Sequence, residues 1–218
     1  MWYAHRELVF IDSKIAKDFF LNKAFLLFLS LKCLCYICIL KYIKKRTRLI
    51  EKSILLILAS KDFNEDEYLV VKTILERENF KLFIASDAHT LCVGSKGLKV
   101  RPDISFYNMR ESNFNAIVLI GGSGIKSYWG NSLLHNLVNN FNRSNKLIAA
   151  ICSAPVILSR AGLLNDKEAT CYMNDRKELE RDGVVFVDVP VKFQKNIITA
   201  QNASASQQFA QTIAERLK

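Results

Sequence analysis

A single cysteine stands where a buried strand is expected to end. The segment LIAAI, residues 147–151, is apolar throughout, and Cys152 follows it directly. Ser153 and Ala154 come next and lead into a helical pattern. A sharp turn from strand to helix exposes a nucleophile and places it at the positive end of a helix. We therefore expect Cys152 to be a reactive thiol with a lowered pKa.

Two glycines end another apolar run. Gly121 and Gly122 follow AIVLI, residues 116–120, and their missing side chains let backbone N–H groups come close to a bound group. Ligands of parallel α/β sheets bind where the strands end at the carboxyl edge. The alternative for Cys152 is a core position, because a free cysteine also packs as a small hydrophobic residue. Apolar spacing alone fits both alternatives.

The elements that would position these residues alternate along the chain from Ser53 onward. Continuous apolar runs of strand length alternate with segments whose apolar residues recur at helical spacing. This alternation is typical of a mostly parallel sheet that is covered on both faces. The sequence therefore predicts an α/β protein, a flavodoxin-like three-layer α/β/α sandwich. The predicted strands are 53–59, 81–86, 116–120, 147–151, 184–191 and 196–200, and the predicted helices lie within 62–79 and at 131–142, 154–161, 174–181 and 204–217.

The positive charge of the chain is concentrated near its start. The 218 residues carry a formal net charge of +10, and residues 1–50 hold ten Lys or Arg against three acids. We therefore expect an N-terminal extension, 1–50, and one domain, 51–218. The domain has no basic stripe interleaved with aromatic residues and no zinc-finger spacing, so nucleic acid is not predicted as a partner.

A membrane-spanning helix is predicted at about 24–43. The apolar run AFLLFLSLKCLCYICIL carries one charge, Lys32, and a basic cluster from Lys41 to Arg48 follows it. Positive charge after the run argues against a cleaved signal peptide. The positive-inside rule then places residues 50–218 in the cytoplasm. Two alternatives remain open: a helix that packs on the domain or on a partner, and an upstream extension of the reading frame.

The six cysteines form no pattern that predicts a metal site or a disulfide. Three of them lie inside the apolar run, the other three are far apart, and no CxxC pair exists. The three histidines form no ligand-like pairing. We therefore predict free thiols in a reducing compartment, with no metal and no organic cofactor.

Several motifs, in order, give the domain a family resemblance. They are ILLILASKDFNEDE, FKLFIAS, NAIVLIGGSG, KLIAAICSAPVILSRAGLL, KEATCY and NIITAQNASASQQFAQTIAERL. Together they resemble the DJ-1/PfpI (ThiJ/PfpI) family of the class I glutamine amidotransferase-like superfamily. The resemblance implies a flavodoxin-like fold, a homodimer and a reactive cysteine at the turn after a strand, which is Cys152 in this sequence.

The resemblance also implies a glutamate beside the sulfur, contributed by the turn after the first strand. Register with SKDFNEDEYL assigns this role to Glu67, with Glu65 as the second choice. A protonated carboxyl group can donate a hydrogen bond to a thiolate, and burial near a negative charge would raise the carboxyl pKa. The alternative is that both residues are first-turn acids favoured by the helix dipole.

Backbone groups would bind the substrate oxygen. By the same resemblance, Gly121, Gly122 and the N–H of Ser153 form an oxyanion pocket. Ser153 also replaces the histidine that the peptidase-like branch carries after its cysteine. Tyr172 stands where branches credited with glyoxalase or deglycase activity often carry a histidine. Lys96 corresponds to an arginine that lies near the sulfur in some relatives.

These residues predict an enzyme that acts on small reactive carbonyls or their protein adducts. The Cys152 thiolate would attack a methylglyoxal-like aldehyde or a hemithioacetal adduct, and Glu67 would transfer a proton. The expected partner is thus a small carbonyl compound or a glycated substrate. An alternative from a different class is a redox sensor or stress chaperone, in which the same thiol oxidises to a sulfinic acid. A weaker alternative is a peptide or amide hydrolase, which Ser153 disfavours.

Overall fold

The apolar runs of the sequence form neighbouring strands of one seven-stranded sheet. The computed structural model describes residues 52–87 and 90–218. The strands are β1 Ser53–Ile57, β2 Lys61–Phe63, β3 Lys81–Ser86, β4 Cys92–Gly94, β5 Lys99–Val100, β6 Ile104–Ser105, β7 Ala116–Leu119, β8 Leu147–Ile151, β9 Glu168–Ala169, β10 Val185–Phe186, β11 Val191–Gln194 and β12 Ile197–Ala200. The helices are α1 Glu65–Arg77, α2 Ser132–Arg143, α3 Pro155–Arg160, α4 Arg176–Arg181 and α5 Ser206–Leu217.

The main sheet has the strand order β11-β12-β8-β7-β1-β3-β6. Its neighbouring strands pair in parallel, apart from the edge strand β11, which is antiparallel to β12. In the main sheet β3 and β6 lie on one side of β1, whereas β7, β8 and β12, which follow later in the chain, lie on its other side. The strand order therefore reverses at β1. Ligand sites of open α/β sheets lie beside such a switch, at the carboxyl ends of the strands.

Helices cover both faces of the sheet. Helices α1 and α5 pack against each other in one layer, and α2 packs against α3 and β8 in the other. The central strands are buried on both faces, because every residue of β7 and β8 is buried and only the first residue of β1 is not. This explains why the strands are continuous apolar runs rather than alternating ones. The predicted flavodoxin-like three-layer α/β/α sandwich is confirmed.

The short strands are the part of the fold that the apolar pattern did not predict. A small second sheet joins β2, β4 and β5, and a two-stranded one joins β9 and β10. The segment 184–191 was predicted as one strand, but only Val185–Phe186 is a strand there, and β11 begins at Val191. Pairs of two or three residues leave too short a pattern to be recognised in a sequence.

The prediction of a membrane-spanning helix is corrected. Within residues 52–87 and 90–218, the structure has no helix that is both long enough and apolar enough to cross a membrane. The segment 24–43, on which the prediction was based, lies outside the described residues, and membrane attachment is not carried further. The domain boundary near residue 50 and the cytoplasmic location stay predictions.

Candidate active site

Three neighbouring strand ends form the candidate site. Strand β7 lies between β1 and β8, so the turns after these strands meet at one edge of the sheet. Cys152 follows β8, Gly121 and Gly122 lie just after β7, and Glu67 lies in the first turn of the helix after β1. Residues that are far apart in the sequence are thereby brought together by the parallel topology.

The backbone at Cys152 is held in an unusual conformation. Its φ is 62°, in the left-handed region that residues with a side chain rarely adopt. The Cys152 N–H donates to Ala200 O at 2.9 Å, and the Tyr172 N–H donates to Cys152 O at 2.8 Å. These bonds fix the peptide groups on both sides of the strained residue. A strained residue at a turn of this kind is typical of a functional site.

Gly121 leaves the space in which the sulfur and the carboxyl group meet. A Cβ atom at this position would lie 2.5 Å from Cys152 Cβ and 2.7 Å from Glu67 Oε2. Gly122 has a φ of 114°, and a Cβ there would lie 2.4 Å from Asp62 O. The Asn64 N–H donates to Gly121 O at 2.9 Å, which joins the turn after β1 to the turn after β7. Both positions therefore require glycine, because a Cβ atom would collide with side-chain atoms at position 121 and with backbone atoms at position 122.

Glu67 is the carboxyl group that contacts the sulfur. Its side chain is fully buried and accepts a hydrogen bond from the Gly121 N–H, 2.9 Å from Oε2. The carboxyl group also interacts with the Cys152 thiol. The other oxygen, Oε1, is buried without a nitrogen or oxygen donor among the described residues. Asn64 caps helix α1 by accepting from the Glu67 N–H at 3.2 Å, and this fixes the position of Glu67.

Burial raises the pKa of Glu67 to about 7. Desolvation of the carboxylate is the largest cause, and the hydrogen bonds with Cys152 and the Gly121 N–H act in the opposite direction. The predicted rise in the carboxyl pKa is therefore found. A buried carboxyl group whose pKa lies near neutral pH can both accept and return a proton.

The expectation of a lowered thiol pKa is wrong. Burial raises the pKa of Cys152 to about 12, and the negative charge of Glu67 is the second cause. The Gly122 N–H lowers it, but by less. Helix α3 has only six residues, so its dipole is small against the desolvation of a thiol that is 8% exposed. Near neutral pH the pair therefore holds a protonated thiol beside a carboxyl group that is about half ionised.

Glu65 and Lys96 have structural roles. Glu65 Oε1 accepts from the backbone N–H groups of Lys96, at 2.7 Å, and Leu98, at 2.8 Å. It thereby holds the hairpin of β4 and β5, and of the two glutamates only Glu67 contacts Cys152. The Lys96 ammonium group forms an exposed ion pair with Asp66 at 2.7 Å. The expectation that Lys96 lies near the sulfur is therefore corrected.

The predicted oxyanion groups are not equivalent. The Gly121 N–H holds the Glu67 carboxyl group, whereas the Gly122 N–H points to the Cys152 sulfur. The Ser153 N–H donates to no acceptor among the described residues. The N–H groups of Gly122 and Ser153 are thus the ones available beside the sulfur. The Tyr172 hydroxyl lies 3.4 Å from Asn174 Nδ2, and it is the Tyr172 backbone N–H that contacts Cys152.

A second carboxylate lies on the other side of the cysteine. Ser153 Oγ is 4.0 Å from Cys152 Sγ and donates to Asp175 Oδ2 at 2.5 Å. Asp175 is only 3% exposed and forms an ion pair with Lys126. The Trp129 indole N–H donates to Ser153 O at 2.9 Å. Asp175 was missed because nothing in its neighbourhood in the sequence links it to a residue 22 positions away.

The pKa of Glu67 predicts how stability depends on pH. Because the folded-state pKa of about 7 exceeds the ordinary 4.5, stabilisation is complete below pH 4.5 and is lost as the pH rises through 7. The loss corresponds to about 3 kcal/mol. We expect Glu67→Gln to match the wild type in free energy of unfolding near pH 4.5 and to exceed it by up to that amount near pH 8. Urea unfolding at both values tests this; equal stability of the two proteins at pH 8 would contradict it.

Comparison with known proteins gives a consistent family. The sequence model of the DJ-1/PfpI family matches residues 52–216. An uncharacterised protein of Methanocaldococcus jannaschii is 31% identical over 87% of this chain and 94% of its own length. A ThiJ/PfpI domain protein from Brachyspira murdochii, solved by crystallography, superimposes with a TM-score of 0.74 at 26% identity, over 76% of this chain and 95% of its own.

Two further relatives carry names that describe an activity. The protein DJR-1.2 of Caenorhabditis elegans, named a glutathione-independent glyoxalase, is 25% identical over 77% of this chain and 90% of its own length. The deglycase PfpI of Pyrococcus furiosus is 26% identical over 68% of this chain and 89% of its own.

Proposed function

The chain belongs to the DJ-1/PfpI family, and on this premise we propose that it converts small reactive carbonyl compounds, or their protein adducts, with Cys152 as the nucleophile. Relatives named as a glyoxalase and a deglycase support such a role at the level of the family. The residues that carry the proposal are Cys152, Glu67, Gly122 and Ser153. Methylglyoxal is the reference substrate.

The observation that carries the proposal is the pair formed by Cys152 and Glu67. A thiol with a raised pKa is a weak nucleophile by itself, so it requires a base beside it. Glu67 is buried against the thiol, and its pKa of about 7 makes it effective near neutral pH. The pair therefore supports attack by sulfur together with proton transfer, which replaces the preformed thiolate that the sequence led us to expect.

The first step forms a hemithioacetal. The Glu67 carboxylate takes the thiol proton while Cys152 Sγ bonds to the aldehyde carbon and the carbonyl oxygen gains the negative charge. The N–H groups of Gly122 and Ser153 stabilise this oxyanion. Glu67 then returns its proton to the oxygen, so that no charge remains on the adduct.

The second step moves a hydrogen within the adduct. Glu67 removes the proton from the former aldehyde carbon to give an enediolate and returns it to the neighbouring keto carbon, while the hydroxyl proton of the former aldehyde carbon passes to the former keto oxygen. This leaves a thioester of a 2-hydroxy acid on Cys152. Water then hydrolyses the thioester, which releases lactate and restores the thiol. The net change is the addition of one water, so the sequence of steps requires no oxidant, reductant or cofactor.

Peptide hydrolysis is the weaker alternative. It needs a base that can also protonate an amine leaving group, and the peptidase-like pattern uses a histidine for this. His135 contacts Trp129 O at 2.8 Å, and no imidazole contacts Cys152 among the described residues. Ser153 and Asp175 occupy that side of the sulfur instead.

A homodimer is part of the proposal. Members of this family are often dimers. We propose the same assembly for this chain.

The proposal is tested by incubating the purified full-length protein with methylglyoxal. Lactate should appear in proportion to the methylglyoxal that is lost. Because the base must be ionised, kcat/KM should rise with pH and level off above about 7. Loss of methylglyoxal without lactate, or no loss at all, would contradict the proposal. Glycated amines and peptides, assayed in parallel, establish the substrate class.

A further inference from the structure

We infer that Ser153 and Asp175 form a second proton path from Cys152, in which Ser153 accepts the thiol proton and Asp175, acting through Ser153, is the positioning residue that orients the Ser153 hydroxyl. The inference deepens the proposed function and depends on Cys152 being the nucleophile. It assigns a role to a buried carboxylate that the Glu67 pathway does not use.

The direction of the hydrogen bonds supports this path. The Ser153 hydroxyl is the donor in the 2.5 Å bond to Asp175 Oδ2, and the Lys126 ammonium group contacts the other carboxylate oxygen. The Ser153 oxygen is therefore left as an acceptor, and it lies 4.0 Å from Cys152 Sγ, at the limit for a bond from a thiol. In this contact the Cys152 thiol is thus the donor and Ser153 Oγ the acceptor.

The ion pair with Lys126 keeps Asp175 available as an acceptor. Asp175 is almost fully buried, and an isolated buried carboxylate would be costly. The Lys126 ammonium group lies on Asp175 Oδ1 and leaves Oδ2 for Ser153. Lys126 also lies over the Trp129 ring, whose indole N–H holds the Ser153 carbonyl. The four side chains therefore fix one another in place.

The transfer is balanced without any further reactant. The thiol proton passes to Ser153 Oγ while the Ser153 hydroxyl proton passes to Asp175 Oδ2, so the sulfur becomes a thiolate and Asp175 a neutral acid. The thiolate then bonds to carbon, Asp175 returns its proton to Ser153 Oγ, and the Ser153 hydroxyl gives a proton to the oxyanion. Within residues 52–87 and 90–218, the other titratable groups that face Cys152 are Glu67 from α1 and the buried Cys171.

The test measures alkylation of Cys152 by iodoacetamide as a function of pH in the full-length protein. Ser153→Ala and Asp175→Asn should each slow alkylation near pH 7 by about tenfold or more, and the double variant should be no slower than either single one. In both single variants, the alkylation rate should reach the wild-type value only at a higher pH than in the wild type. Replacement in a Glu67→Gln background should have a larger effect, because only this path would then remain.

The matched control is Ser159→Ala. Ser159 lies in helix α3, which begins two residues after Ser153; it is as buried as Ser153 and donates to Asp182 Oδ2 at 2.6 Å, but it does not contact Cys152. Its alkylation profile should match that of the wild type, and circular dichroism verifies folding of every variant.

If Asp175→Asn does not fold, Ser153→Ala alone decides. The inference would be overturned if Ser153→Ala showed the wild-type dependence of the alkylation rate on pH. It would also be overturned if Ser159→Ala slowed alkylation as much as Ser153→Ala does. Alkylation uses no carbonyl substrate. If the protein forms no lactate, the proposed function is contradicted, but the alkylation rates still test the proton path.

Discussion

Replacing Cys152 with alanine is expected to lower kcat/KM for methylglyoxal by at least about a thousandfold, to the level of the buffer reaction. In the proposed mechanism the sulfur is the atom that bonds to the substrate carbon, and no other group of the site would replace it. Gly122 and Ser153 would still present their N–H groups, but without a nucleophile they have no oxyanion to stabilise. Lactate formation, followed with the purified variant, measures this loss.

Cys92→Ala is the matched control for that variant. Cys92 is also a free and fully buried cysteine, but it lies in β4, away from the sulfur of Cys152. Its replacement should leave kcat/KM per folded molecule unchanged within about twofold, even if the free energy of unfolding falls. Equal loss of activity in both variants would show that the activity does not depend on Cys152 in particular.

Replacing Glu67 with glutamine is expected to separate turnover from thiol reactivity. The introduced amide keeps an oxygen for the Gly121 N–H and adds an N–H donor beside the sulfur, but it cannot carry a proton between sulfur and substrate. Removal of the negative charge also removes one cause of the raised pKa of Cys152. We therefore expect kcat to fall by about 10²- to 10⁴-fold, whereas alkylation by iodoacetamide, which returns no proton to a substrate and still has the Ser153 path, falls much less.

Glu65→Gln is the control for Glu67. Both residues lie in the first turn of α1, and Glu65 is also buried. Because Glu65 holds the backbone N–H groups of Lys96 and Leu98 instead of the sulfur, its replacement should lower stability and leave kcat of the folded protein near the wild-type value. A Glu67 variant that kept its turnover would remove the carboxyl group from the mechanism.

The sequence predicted the architecture well because the sheet is buried on both faces. Strands β3 and β8 were predicted at their observed boundaries, since runs of four or five consecutive apolar residues between polar flanks leave little choice. The parallel topology then brought the predicted residues Cys152, Glu67 and Gly122 to one edge. Local patterns and topology were sufficient for this much.

What the sequence did not predict depends on burial and on distant contacts. The raised pKa of Cys152 follows from how deeply the sulfur lies and from the charge of Glu67, and neither can be read from a turn motif. Likewise, the Gly121 N–H was expected to face substrate but holds Glu67. Asp175 reaches Ser153 only through the packing of the segment after β9.

The most direct test of the central claim is to follow activity and the site of alkylation together. The full-length protein is treated with iodoacetamide for increasing times, and each sample is assayed with methylglyoxal and mapped by peptide mass spectrometry. Activity should fall in step with modification of Cys152, ahead of Cys92 and Cys171, and methylglyoxal should protect both. Full activity in protein that is completely alkylated at Cys152 would contradict the account.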